Sequence, residues 1–174
     1  TTGVDAPAGT AQNDTFNGVI DAGTAANNTF TVVDTINGGA GEDSLKVLVA
    51  DINGSTAVPL ANVSNVENFF IRNIDKDGDA ATFDASLVSG EKQIWNDRST
   101  APVTITNAGE GTVIGVKGDG SVTNSTTSAG YEATVKAGSV LFDGGTKGTA
   151  GVTLTGAALE TVSISSTGAA NAAG

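Results

Sequence analysis

The sequence predicts an all-β chain wound as a right-handed parallel β-helix, a β-solenoid with short Thr- and Val-rich strands; a β-sandwich is the alternative. Three observations carry that reading. The first is composition: of 174 residues, 24 are Gly and three are Pro, and the 39% that are apolar come mostly from Val, Ile, Leu and Ala. Thr, Ser and Asn are abundant. Such a mixture suits many short strands joined by tight turns, and its β-branched content sets it apart from disordered chains. The second is periodicity. No window carries an apolar stripe at i, i+3, i+4, i+7 for three turns without Gly or a β-branched run, whereas two-residue alternation is common. The third is spacing. In the second half, apolar centres fall near 104, 114, 122, 134, 141, 153 and 163, steps of roughly 7 to 12 residues. The turns between them are single Gly, Asn or Ala-Gly steps, which suit the sharp corners of a coil better than long Greek-key crossings.

Taken in chain order, strands are expected at Thr29–Val33, Ser44–Val49, Asn68–Ile71, Pro102–Ile105 and Thr112–Val116. They continue at Ala133–Val135, Val140–Phe142, Val152–Leu154 and Val162–Ser165. Each is short and is followed within a few positions by Gly, Asn or Asp. The segment Ala80 to Ile94 is the one helical candidate, with Phe83, Leu87 and Val88 on a shared face and Gly90 as its stop. An internal echo pairs Val66-Glu67-Asn68-Phe69-Phe70-Ile71 with Leu159-Glu160-Thr161-Val162-Ser163-Ile164. The region up to about Asp51 is richer in Gly-Asp turns and the rest in Thr, Ser and Val, a soft internal change within one domain spanning residues 1–174.

Charge removes several functions. With 19 acidic and 8 basic residues the formal charge is -11. There is no basic footprint for nucleic acid. The absence of His and Cys removes His-based catalysis, thiol nucleophiles, Cys-zinc sites and disulfides. Trp95, Asp97 and Arg98 form too generic a group for a carbohydrate cleft, and Trp95 is expected to pack over a coil edge. Pectin-cleaving β-helices put several charged groups on one exposed sheet, whereas the Arg here number two, Arg72 and Arg98. The chain reads as a non-enzyme. No stretch approaches 18 consecutive apolar residues, so no membrane insertion is expected. The chain opens at Thr1 without Met and shows no signal peptide, and it reads as a piece of something longer.

Two segments offer ligands for a hard cation. Gly38-Gly39-Ala40-Gly41-Glu42-Asp43-Ser44-Leu45-Lys46 fits the nonapeptide of calcium-binding β-rolls, Gly-Gly-x-Gly-x-Asp-x-apolar-x. Gly39 and Gly41 let the turn adopt unusual dihedrals, Asp43 supplies a carboxylate oxygen of the kind Ca²⁺ prefers, and Leu45 anchors the turn in the core. A degenerate copy, Gly9 to Asn17, keeps the first Gly, Asp14 and Phe16. The copies start 29 residues apart, at Gly9 and Gly38. They stack if each coil is that long; otherwise Asp43 caps its own turn as an Asx-type hydrogen bonder. The second segment is Asp75-Lys76-Asp77-Gly78-Asp79, three carboxylates at i, i+2 and i+4 around a Gly. It resembles the start of a Ca²⁺ loop, although Ser86 at loop position twelve excludes an EF-hand. Asp84 is a further nearby oxygen. The other reading is a solvated loop tip. Sequons at Asn13, Asn27, Asn53, Asn62 and Asn124 need no glycan in a chain so rich in Asn and Thr. Strand Thr and Ser are expected to line hydrogen-bonding outer faces that support lateral assembly, as do unpaired solenoid ends.

The segments "GTAQNDTFNG" (Gly9 to Gly18), "DTINGGAGEDSLKV" (Asp34 to Val47), "VSNVENFFI" (Val63 to Ile71) and "LETVSI" (Leu159 to Ile164) resemble RTX-type surface proteins of Gram-negative bacteria. They are most similar to the β-solenoid portions of surface-layer (S-layer) proteins. In motif the resemblance covers about the first 70 residues. It implies type I secretion, assembly outside the cell in Ca²⁺, and lattices, filaments or adhesive sheaths. It places calcium at Asp43 and at Asp14, with Gly39 and Gly41 shaping the turn; tandem nonapeptides are missing, so a few structural ions replace a dense row. The chain is therefore expected to be a self-assembling extracellular surface protein whose partners are copies of itself, with cell-surface polysaccharide a further partner. The alternative is an adhesin or carbohydrate-binding module, for which Trp95 and Tyr131 are the places to look.

Overall fold

The computed structural model describes residues 3–60, 62–118, 126–144 and 151–167. The described chain is a parallel β-solenoid and is nearly all β. Its strands are β1 (Thr15–Asp21), β2 (Ile36–Asn37), β3 (Ser44–Asp51), β4 (Thr56–Ala57), β5 (Val63–Ser64), β6 (Asn68–Asn73) and β7 (Ala81–Asp84). They continue as β8 (Gln93–Asp97), β9 (Val103–Ala108), β10 (Val113–Lys117), β11 (Thr127–Tyr131), β12 (Ala137–Asp143), β13 (Val152–Thr155) and β14 (Thr161–Thr167). A seven-stranded sheet runs β1-β3-β6-β8-β10-β12-β14, a five-stranded sheet runs β13-β11-β9-β7-β4, and β2 pairs with β5. Every one of these strand pairs is parallel, which rules out the antiparallel β-sandwich. From β6 onward the chain alternates between the two larger sheets, so each coil carries two strands.

Register explains the core. In the seven-stranded sheet one inward column reads Phe16, Leu45, Phe69, Ile94, Ile114, Val140 and Ile164. Its coil steps run from 20 residues (Ile94 to Ile114) to 29 (Phe16 to Leu45). The five-stranded sheet answers with Phe83, Ile105, Ala129 and Leu154. Phe69 meets Phe83 edge-on, with ring centroids 4.9 Å apart, and ties the two sheets together. The outward column of the five-stranded sheet is Thr82, Thr104, Ser128 and Thr153, the hydroxyl-bearing face expected from the sequence. Alternation alone builds this arrangement, because successive side chains leave opposite faces of a strand.

Three local expectations are corrected. Residues 29–33 are not a strand: Asp34 accepts hydrogen bonds from the Thr31 N–H (2.6 Å) and hydroxyl (3.0 Å), closing a turn that leaves Val32 and Val33 exposed. Residues 133–135 form a turn in which the Val135 N–H donates to the Glu132 carbonyl while the Val135 side chain stays in the core. The helical candidate at 80–94 holds β7 and a single 3-10 turn, Ala85–Leu87, capped by Asp84; Phe83 lies in the core and Leu87 in solvent. The echo is right in kind but two residues out of register, since Phe69 shares its column with Ile164 and not with Val162. Asn124 and the apolar centre near 122 lie outside the described residues.

Ile94 sits mid-column and is fully buried. Ile94→Ala is expected to cost about 2–5 kcal/mol in a denaturant titration. Val162→Ala, on the exposed last strand, is expected to stay within about 0.5 kcal/mol.

Candidate functional site

The two nonapeptide copies stack directly on each other. Coil two lies against coil one through hydrogen bonds from the Ala40 N–H to the Thr10 carbonyl and from the Ser44 N–H to the Asp14 carbonyl. Gly39 and Gly41 take φ of +97° and +130°, a region that side chains resist. A Cβ on Gly39 would come within 2.3 Å of the Thr10 carbonyl oxygen below it. These two glycines therefore shape the turn as the sequence suggests.

The acidic residue just before each strand forms a column: Asp14 before β1, Asp43 before β3, Glu67 before β6. Asp43 Oδ1 accepts the Asp14 N–H of the preceding coil at 2.7 Å. Glu67 Oε2 accepts the Asp43 N–H at 2.8 Å. Asp14 has no described coil before it, and its Oδ2 turns onto its own turn, taking the Thr10 N–H (2.6 Å) and hydroxyl (2.9 Å). Asp43 is fully buried, and its second oxygen, Oδ2, has no hydrogen-bond partner. It lies beside Gly38, where a methyl group would approach it to 2.6 Å. One buried, uncommitted carboxylate oxygen fits one ligand position of a calcium ion. Asp43 Oδ1 and Asp14 Oδ2 are already held by N–H and O–H donors.

The acidic loop is organised differently. Asp75 is buried; its Oδ1 accepts the Asp77 and Asp79 N–H groups (2.9 and 3.0 Å) and its Oδ2 the Ile52 N–H of the preceding coil (2.9 Å). Asp79 reaches back to the Gly54 N–H at 2.7 Å. Asp77 stays in solvent beside Lys76, which also pairs with Asp51 at 2.9 Å. Asp84 is spent on Ser86 and Asn107. Among the described residues no three Asp or Glu side chains converge into a metal-holding group.

Sequence reasoning missed two members of this system. Asp34 is buried and accepts the Asp5 N–H at 2.8 Å, one coil back. Glu67 was visible as the Glu ahead of a strand, but its role as a cap needs the coil register. The signal available for both was an acid one coil length from its target.

Both aromatic candidates are buried, Tyr131 in the core and Trp95 on the outer face of the seven-stranded sheet. Tyr131 is buried; its hydroxyl donates to the Ser139 carbonyl and accepts the Ser139 N–H, and burial pushes its phenol above the usual range. Trp95 packs flat over Gly115, where a Cβ would fall 2.1 Å from the indole. It stacks on Phe70 at 6.0 Å with the rings 11° from parallel, and its indole N–H donates to Gln93. Among the described residues no helix is long and apolar enough to cross a membrane. No known protein family, curated protein or solved structure matches this chain.

Hydrogen-bond donation holds three carboxylates below their ordinary range: Asp75 through the Ile52 N–H, Asp21 through the Asn27 amide, and Asp84 through the Asn107 amide. In the unfolded chain these groups take up protons near pH ~3.9. Their stabilisation is therefore complete above that value and is lost as pH falls through the lower folded-state values. Acid also relieves the repulsion among the chain's excess negative charges, which works the other way. The melting temperature, followed by circular dichroism, is expected to be flat above about pH 5 and to fall below about pH 4. Asp75→Asn is expected to melt lower at neutral pH and to lose less on acidification. A melting temperature that rises below pH 4 would mean that charge relief dominates.

Proposed function

We propose that this chain is a structural module of a bacterial surface that assembles with copies of itself, end to end along the coil axis. The observation that carries the reading is the pair of open sheet edges. Among the described residues β1 and β14 are the outer strands of the seven-stranded sheet, and each is seven residues long. β14 reads TVSISST, with no charge, no Pro and every residue exposed. It lacks the charges and prolines that normally keep an edge strand from pairing. Ile164 belongs to the inward core column yet is 69% exposed. At the opposite end a cavity of about 570 Å³ opens beside β1, lined by Phe16, Phe30 and Ile36 together with polar residues that include Asp5 and Asp34. Among the described residues, an inward column that runs from the exposed Ile164 to a cavity of mixed apolar and polar lining suits a head-to-tail contact, which propagates as an open filament.

The uncharged end strand also suits the electrostatics. A chain of net charge -11 repels its copies over most faces, and β14, which carries no charge, sets no second acid against Asp5 and Asp34 at the other end. Calcium has a place in this reading at the Asp14–Asp43 turn. An ion bound to Asp43 Oδ2 in the folded or assembled state favours that state by linkage. The resemblance to RTX-type and S-layer proteins supports an extracellular, secreted setting for such a module.

Light scattering and negative-stain microscopy with calcium and then with chelator test the proposal. Filaments or sheets are expected, and Ile164→Lys is expected to abolish them without lowering the melting temperature. A wild-type monomer at every concentration, with and without calcium, overturns end-to-end assembly. Asp43→Ala is expected to lose about 1–3 kcal/mol, because the Asp14 N–H is left without its acceptor, and to lose any calcium-dependent gain in stability. If the variant keeps the same calcium response as the wild type, the ion lies elsewhere.

A further inference from the structure

The outer face of the seven-stranded sheet carries a second feature, a groove that reaches from β1 to β8. Seven Lys and Arg side chains lie among the described residues. Five of them sit within 4.0 Å of a carboxylate: Lys76, Lys92, Arg98, Lys117 and Lys136. The two others are Lys46 and Arg72. In a chain where acids outnumber bases 19 to 8, a cation without a carboxylate partner is the exception. Both exceptions are exposed, and both line the same groove of about 210 Å³.

Register sets their geometry. Lys46 on β3 pairs with Phe70 on β6, and Leu48 pairs with Arg72. Lys46 and Arg72 are thus diagonal neighbours on one face, with backbones about 7–8 Å apart. The Lys46 ammonium lies 5.9 Å from the Phe70 ring centroid. Phe70 is held in turn by its stack with Trp95, which rests on Gly115. The groove therefore holds a fixed aromatic ring between Trp95 and the Lys46 ammonium, with Arg72 diagonal to Lys46. Asn17 completes the lining with an amide, and Asp97 with a carboxylate whose two oxygens already accept from the Arg98 guanidinium at 2.8 and 3.2 Å, leaving their remaining lone pairs to the groove.

We propose that this groove binds one ring of a carboxylated saccharide, a uronate. The Arg72 fork matches a carboxylate in two-point geometry and Lys46 adds a point charge. Both faces of the Phe70 ring are taken, one by Trp95 and one by the Lys46 ammonium, so the ring meets a sugar with its positively polarised edge, which suits a ring or hydroxyl oxygen. Asp97 and Asn17 suit hydroxyl groups. A carboxylate acceptor inside the groove disfavours a ligand made only of anions and favours one that also donates hydrogen bonds. The volume is below the ~300–1,000 Å³ of sites for drug-sized ligands, which fits a single ring of a longer chain.

Calorimetric titration with tetragalacturonate and tetramannuronate tests the site, with a neutral tetragalactan and polyglutamate as controls and light scattering alongside to follow assembly separately. At least one uronate is expected to bind, more weakly as salt is raised, and the neutral sugar is expected to show no heat. Lys46→Gln and Arg72→Gln are each expected to weaken binding tenfold or more with unchanged melting temperature, as both side chains are exposed. Absence of binding to both uronates at millimolar concentration overturns the proposal. So does equal binding by the double variant, or equal binding of polyglutamate, which would make this a docking face for an acidic protein segment. Failure of end-to-end assembly leaves the result of this titration unaffected.

Discussion

The hydrogen bond from a backbone amide in one coil to a carboxylate in the next holds the corners of this solenoid together. Straight segments satisfy their N–H groups through the parallel ladder, but at a corner the ladder breaks and the amide needs another acceptor. Asp34, Asp43, Glu67, Asp75 and Asp79 take the amides of Asp5, Asp14, Asp43, Ile52 and Gly54. In all five the acid belongs to the later coil and the amide to the earlier one. An ionised acceptor makes such a bond shorter and stronger than a neutral one. Much of the acidity of the first half of the chain is thus structural, fixed by what corners require.

The core and the caps depend on each other. The inward column from Phe16 to Ile164 needs every strand in register, and a slip of one residue would turn that column to solvent. The caps fix where each strand begins: Asp43 lies just before β3 and Glu67 just before β6. The few cations extend the same pattern. Lys92 pairs with Glu42 across 50 residues of sequence, spanning the coil that holds Glu67. Such exposed pairs contribute little individually, and here they mark the stacking of corners more than they strengthen it.

The coil type was legible in the sequence because composition, alternation and turn residues all act locally. Ser44–Val49 and Val162–Ser165 became strands because β-branched alternation and flanking turns agree there. The nonapeptide at Gly38 was legible too, and its stacking on the Gly9 copy follows from a 29-residue coil. What was illegible is whatever depends on register. Val32 and Val33 look like strand residues, but Asp34 turns the chain beneath them. Trp95 is expected to pack over a coil edge, but the sequence does not reveal that Gly115 gives the indole its bed or that Ser139 meets the Tyr131 phenol. The roles of Asp34 and Glu67 were hidden for the same reason, since each partner lies a full coil away. Lys46 and Arg72 are 26 positions apart in sequence and become neighbours only once β3 and β6 are paired.

The stacking direction has a mechanical consequence. Hydrogen bonds between strands of a solenoid point along its long axis, so tension applied at the two ends loads them one coil after another and not all at once. Each coil contributes about 5 Å to the stacked length. A released coil of 20 to 29 residues spans roughly 70 to 100 Å when drawn straight. Under load such a body lengthens in large discrete steps at modest force and leaves the remaining coils intact, as a shock absorber does.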